Sequence, residues 1–155
     1  KTAKGEQRMM NYESLADGGF ASGSMMGSGG FIVLDDTQCV VKHTYTLARF
    51  YRHESCGQCS PCRKKTGWME KILLKIDSGK GSMSDIDLLW DIQRKIEGNT
   101  ICPLGDAAAW HVAAAIRHFR DEFEWHINNP EDCLRKNYGL AGYADEIHVP
   151  VLSNE

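Results

Sequence analysis

Three cysteines fall within seven residues, Cys56-Gly57-Gln58-Cys59-Ser60-Pro61-Cys62, and a fourth, Cys102-Pro103, follows after a gap of 39 residues. No other feature restricts the fold as much, because thiols spaced this closely must share one loop. The chain holds six cysteines in all, with Cys39 and Cys133 apart from the rest. An even count permits a disulfide framework, but crowding three into one short loop, with no basic-then-apolar leader pointing to an oxidising compartment, favours metal or redox chemistry. Two successive C-x-x-C steps let a curled loop cover three corners of a cubane while backbone amides face the sulfides, and a distant cysteine can supply the fourth corner if the fold returns it. Gly57 permits the tight turn this requires. Structural zinc sites more often pair two separate C-x-x-C or His-containing knuckles. The spacing therefore favours a [4Fe–4S] cluster, with structural zinc and metal-free thiols as the alternatives.

The rest of the chain reads as a scaffold for that loop. Residues 18–30, GGFASGSMMGSGG, contain six glycines and suit tight turns but not a helix. Phe31-Ile32-Val33-Leu34 reads as a short buried strand ended by Asp35-Asp36, too little for a β-domain of its own. From about His43 the period becomes helical, with Leu47, Phe50 and Tyr51 on one face of a first helix. A second helix starts near Pro61 and carries Met69, Ile72, Leu73 and Ile76 at i, i+3, i+4, i+7 spacing. Ser84 and Asp87 read as a capping box for a third helix with Ile86, Leu89, Ile92 and Ile96 inward, ended by Gly98-Asn99. A fourth and longest helix starts at Pro103, carries Leu104, Ala108, Val112, Ala115, Ile116, Phe119 and Phe123 as its stripe, and stops at Asn128-Asn129-Pro130. The expected fold is mainly α: a four-helix bundle over residues 42–130, with residues 1–41 before it and an irregular tail over 131–155. The chain begins with Lys1 and its first methionine is Met9, so a processed chain or a piece of a longer one is expected.

Charge narrows the function. With 18 basic and 21 acidic residues the net charge is −3, which argues against a general nucleic-acid binder. No stretch approaches the roughly 20 apolar residues a membrane helix needs. Residues 42–78 nevertheless carry a net charge of +5 and residues 79–130 one of −3. Solvated helix faces that happen to differ explain this simply; the sharper reading is that Arg63, Lys64 and Lys65 offset negative charge at a bound cofactor. Cys39 and Cys133 lack spaced partners and read as packed or surface thiols. His53 stands beside the cysteine loop, where it shapes the surroundings or meets a partner. His111 and His118 read as packing or surface residues of the fourth helix. Gly27-Ser28-Gly29-Gly30 precedes a strand instead of opening a helix, so it is turn chemistry and not a phosphate cradle.

Three segments together carry a family resemblance: His53-Glu-Ser-Cys-Gly-Gln-Cys-Ser-Pro-Cys-Arg63, Ile96-Glu-Gly-Asn-Thr-Ile-Cys-Pro-Leu-Gly-Asp106 and Ile116-Arg-His-Phe-Arg120. From about Tyr12 to His126 the chain resembles the NADH-oxidising flavoprotein subunit (the F, or 51-kDa, subunit) of respiratory complex I, NADH:quinone oxidoreductase. The resemblance implies a helical domain carrying one [4Fe–4S] cluster on Cys56, Cys59, Cys62 and Cys102, with residues 1–41 as the end of a ubiquitin-like β-grasp domain. It implies electrons passed singly from FMN, itself reduced by NADH, to this cluster and on to further clusters. FMN and NADH would be held by an N-terminal domain absent from these 155 residues. The implied partners are that domain, a thioredoxin-like [2Fe–2S] subunit and a large multi-cluster subunit. The implied place is peripheral, on the cytoplasmic side of a bacterial inner membrane or the matrix side in mitochondria. Many relatives continue the motif with Arg-Glu-Gly, where this chain has Arg63-Lys64-Lys65-Thr66; a base in place of an acid there would raise the cluster potential or alter a subunit contact. The diaphorase subunits of NAD-reducing hydrogenases and NAD-dependent formate dehydrogenases carry a similar segment, and a zinc-stabilised interaction module is the alternative from another class.

Overall fold

The computed structural model describes residue 30, residues 32–34 and residues 38–129. Four helices follow in order: α1 Val40–Glu54, α2 Ser60–Asp77, α3 Met83–Arg94 and α4 Pro103–Asn128. Helix α2 packs against α1, α3 and α4, and α4 packs against the other three, whereas α1 and α3 do not meet. The cross-section is therefore a rhombus with α2 and α4 on its short diagonal. That pair is the centre of the bundle.

The core follows the apolar spacing. Met69, Leu73 and Ile76 of α2, Ile86 and Leu89 of α3, and Val112 and Phe123 of α4 are fully buried. Each large side chain of this kind stabilises the fold by about 1.5–3 kcal/mol through removal from water. Ala108, Ala109, Ala113 and Ala115 are buried too, and such small residues let neighbouring helices approach α4 closely. Among the described residues no helix is long and apolar enough to cross a membrane.

Several expected details shift. The inward face of α1 is Val41, Thr44, Tyr45 and Ala48, and Phe50 is exposed. The sequence stripe centres on the bulkiest side chains, but contact with two neighbours turns the helix onto a smaller, partly polar face. The capping box is Ser82 with Asp85, two residues earlier than Ser84 with Asp87. Asp85 accepts from the Ser82 amide at 2.7 Å and from Lys75 at 2.8 Å. Burial pushes the Asp85 carboxyl up, but Lys75 and Ser82 outweigh that and hold it below its usual value. Asp87 is left to pair with Arg120 on α4 at 3.0 Å. Helix α3 closes at Arg94, ahead of Gly98-Asn99. Helix α4 has the expected ends, but it kinks at Phe119 (φ −135°, ψ 29°), which turns that ring to 40% exposure and out of the stripe.

Ile32, Val33 and Leu34 form no strand, and Ile32 and Val33 are 67% and 90% exposed, so the short buried strand expected there is not found. A strand is held by the backbone partners beside it, and among the described residues these three have none in a sheet. The glycine-rich run, apart from Gly30, and residues 130–155, Cys133 included, lie outside the described residues.

Helix α1 has no acidic residue in its first turn and no cap from its own N-cap side chain. Glu122 of α4 does that work instead, its Oε1 accepting the Val40 amide at 2.7 Å. Beside it the Cys39 sulfur lies 3.7 Å from His126 Nδ1, so Cys39 is a packed thiol, as expected.

Helices α1 and α4 also meet through Tyr51 and His111, whose rings stack with centroids 5.1 Å apart. Desolvation pushes the His111 imidazole down to about 4, only partly opposed by hydrogen bonds to the backbone of Ala107, Thr44 and Ala108. A base with a lower folded than unfolded value is protonated more readily in the unfolded chain. Its contribution to stability is therefore intact above about pH 6.5 and lost as the pH falls towards 4. His111→Phe, which keeps an aromatic ring on Tyr51, is expected to flatten the decline of unfolding free energy across that window. Urea titrations at several pH values check this, and equal slopes for both proteins would rule the assignment out.

Candidate metal centre

The two cysteine loops occupy the ends of the central helix pair. Cys59 is the N-cap residue of α2 and Cys102 the N-cap residue of α4, each followed within two residues by a proline suited to a first helical turn. A helix N-terminus carries about half a positive charge from its free amides, so both thiols sit where negative charge is favoured. Cys62 lies in the first turn of α2 and is buried, Cys59 is partly exposed, and Cys56 and Cys102 are exposed.

Local interactions shape the first loop. Gly57 adopts φ +83°, a left-handed conformation that costs other residues about 1–2 kcal/mol. Arg63 reaches back from α2 to donate to the Gly57 carbonyl at 2.8 Å, laying its guanidinium along the loop. Ser55, the last residue before the loop, places its hydroxyl 3.2 Å from the Cys62 sulfur.

The second loop is pinned at nearly every residue. Lys65 of α2 donates to the Lys95 carbonyl at 2.9 Å, and the Trp110 indole donates to Glu97 at 2.7 Å. The Gly98 amide, at φ +70°, donates to Asp106 at 2.8 Å. Thr100 packs so tightly on Gly105 that a Cβ there would collide with its hydroxyl and methyl groups. The decisive contact comes next: the Ile101 amide donates to the Cys59 sulfur at 3.4 Å, across 42 residues of sequence. Cys102 is thereby carried to the first loop.

Among the described residues no three His, Cys, Asp or Glu side chains surround a single point closely enough to hold one metal ion. A four-iron cubane takes one thiolate at each of four corners, so its donors need not converge on one point. The residues present fit that group in donor chemistry and in adjacency: four thiols, two loops joined by an amide-to-sulfur hydrogen bond, two helix N-termini, and basic side chains drawn to both loops. Of the expected basic trio, Arg63 and Lys65 tie down the loops, and Lys64 is exposed. His53 is exposed and pairs with Glu54 at 3.0 Å; His118 is on the surface. Sequence reasoning gives Ser55, Thr100 and the Ile101 amide no role. Ser55 is detectable in principle as a hydroxyl next to the first thiol; the Ile101 amide leaves no trace in residue identity.

Gly105→Ala is expected to displace Thr100 and cost about 1–3 kcal/mol, as overpacking at a rigid contact does. Thermal unfolding measures it, and an unchanged melting temperature would mean that the loop has slack.

Comparison with known proteins adds the following. A family model described as the NADH-ubiquinone oxidoreductase-F iron-sulfur binding region matches residues 42–126. The F subunit of NADH-quinone oxidoreductase from Rickettsia typhi (strain ATCC VR-144 / Wilmington) is 43% identical over 132 residues, 85% of this chain and 28% of that protein. An F subunit of NADH-quinone oxidoreductase from Rhizobium meliloti (strain 1021) is 41% identical over 126 residues, 81% of this chain and 28% of that protein. The chain thus spans just over a quarter of the length of these relatives. Among solved structures, the NAD+-reducing [NiFe]-hydrogenase in its air-oxidized state is similar with a TM-score of 0.59 and 33% identity, covering 61% of this chain and 17% of that one. Its H2-reduced state gives 0.59 and 28%, covering 76% and 21%.

Proposed function

Because the chain belongs to the family of the NADH-ubiquinone oxidoreductase-F iron–sulfur binding region, whose cluster is of the [4Fe–4S] type, we propose that Cys56, Cys59, Cys62 and Cys102 are its ligands in an electron-transfer domain. The parent activity in this reading is NADH:quinone oxidoreductase, with FMN and NADH held by a domain outside the 155 residues. The observation that carries the ligand set is the Ile101 amide on the Cys59 sulfur, which brings the loop of Cys102 to the loop of the other three.

When bound, the cluster supplies a one-electron couple, and the rest of the work belongs to the chain. Gly57 turns the first loop so that three thiols come from one short segment. The N-termini of α2 and α4, with Arg63 and Lys65 at the two loops, oppose the negative charge of four thiolates. Burial of Cys62 keeps water from one side of the centre, while Cys56 and Cys102 face solvent, where an electron donor or acceptor can come close. No proton or substrate need move.

In the same reading, residues 1–41 are the end of a β-grasp domain and residues 131–155 a tail. The partners are a thioredoxin-like [2Fe–2S] subunit and a large multi-cluster subunit, and the place is peripheral, on the cytoplasmic or matrix side of the membrane. A second reading is a diaphorase subunit of a soluble NAD-reducing hydrogenase or NAD-dependent formate dehydrogenase, favoured by the two hydrogenase structures. The higher identity to quinone oxidoreductase subunits supports the first. Companion subunits separate the two: membrane subunits for one, a nickel–iron or molybdenum subunit for the other.

Anaerobic iron, sulfide and zinc analysis, with low-temperature EPR after dithionite, tests the centre itself. About four irons and four sulfides per chain with a reduced-cluster signal are expected. Stoichiometric zinc without sulfide, in protein never exposed to air, would overturn the reading in favour of a zinc-stabilised interaction module. Cys59→Ala or Cys102→Ala is expected to abolish cluster assembly and Cys133→Ala to leave it intact. Loss of the cluster in the last variant would show the ligand set to be wrong.

A further inference from the structure

Ser55 ends α1, the helix that leads into the cysteine loop, and its hydroxyl oxygen sits between two groups. The Gly57 amide donates to it at 3.4 Å, and the Cys62 sulfur lies 3.2 Å away. With its oxygen already accepting from an amide, the hydroxyl still has one proton to give, and the Cys62 sulfur is placed to take it. A Cys62 that ligates metal is deprotonated, so between these two atoms only the hydroxyl can be the donor.

We propose that Ser55 is a positioning residue that sets the reduction potential of the cluster by donating a hydrogen bond to the Cys62 thiolate. The proposal rests on the four-cysteine reading above. Two features give the bond weight. Cys62 is the buried thiol of the four, so water is poorly placed to replace the hydroxyl if it is removed. Ser55 is also held from outside the loop, as the C-cap residue of α1, whose Tyr45 and Ala48 are packed in the core. Its position is thus fixed by the bundle before any metal binds.

The direction follows from charge. A donor at a ligand sulfur draws electron density from it and favours the more negative, reduced state. The Ile101 amide does the same for Cys59, but a backbone group is not removed by substitution. Ser55, by contrast, is a side chain, and substitution can remove its hydroxyl from the Cys62 sulfur.

The test is an EPR-monitored redox titration of the cluster-loaded protein beside Ser55→Ala, Ser55→Gly and Ser55→Thr, each checked for iron content and helical circular dichroism. Ser55→Ala is expected to lower the reduced-to-oxidised ratio at fixed potential about three- to tenfold, ~30–60 mV lower at about 59 mV per tenfold for one electron. Ser55→Thr, which keeps the hydroxyl, restores the original value. In heavy water, pulsed EPR of the reduced protein is expected to show an exchangeable proton that is present in Ser55→Thr and lost in Ser55→Ala. An unchanged potential in a fully loaded Ser55→Ala or Ser55→Gly protein overturns the proposal. So does failure of both to load iron while Ser55→Thr loads normally, since Ser55 would then serve loop folding alone. Absence of a cluster from the unsubstituted protein is a different result and would fail the parent reading instead.

Discussion

The site depends on bringing residue 101 back to residue 59. The amide of Ile101 on the sulfur of Cys59 joins two loops that begin the two central helices, and Cys102 reaches the other three thiols through that closure. Closing a loop of this length costs entropy, and one weak amide-to-sulfur bond cannot supply it. The closure is instead a by-product of the core: α2 and α4 pack along the short diagonal of the rhombus through side chains such as Met69, Leu73 and Val112, and their N-termini come together at the cysteines. Hydrophobic burial does the work, and the hydrogen bond selects the register.

That division explains why the second loop is so heavily restrained. Ile96 anchors the start of this loop in the core, but residues 97–102 bury little apolar surface, and Ile101 is exposed. The Lys65, Trp110 and Asp106 contacts, with Thr100 fitted against Gly105, supply the order that packing does not. The partners come from α2 and α4, so the loop is indexed to the same two helices whose ends it joins. A cysteine site built this way is preorganised by its scaffold.

The opposite end of the bundle solves a different problem with related means. There α1 starts without a cap of its own, and Glu122 of α4 accepts its first amide beside the Cys39–His126 contact. Burial pushes the Glu122 carboxyl up while the Val40 amide and His126 oppose it. Polar groups thus tie α1 to α4 at both ends, since the Tyr51–His111 stack lies nearer the cysteine loop. Helix α1 is thereby held in place to deliver Ser55.

The helices, their central apolar stripes and the thiol cluster are legible in the sequence because each is a local pattern: spacing of 3.6 residues, a proline at a first turn, two C-x-x-C steps. The third-helix cap lies two residues away from its expected place because Ser82 with Asp85 and Ser84 with Asp87 satisfy the same rule. Lys75, a helix away, favours the first by pairing with Asp85, and Arg120 draws off Asp87. The face of α1 and the exposure of Phe119 escape sequence reasoning for the same reason, since neighbours set how a helix is turned and where it kinks. What the sequence by itself determined is the identity and order of the four thiols and the helices that carry them. Only the tertiary structure decided that Cys59 and Cys102 share one end of the bundle, that Cys62 is the shielded thiol, and that Ser55 faces it. Those relations join residues far apart in the chain or set by the turn of a helix, and no local rule specifies them.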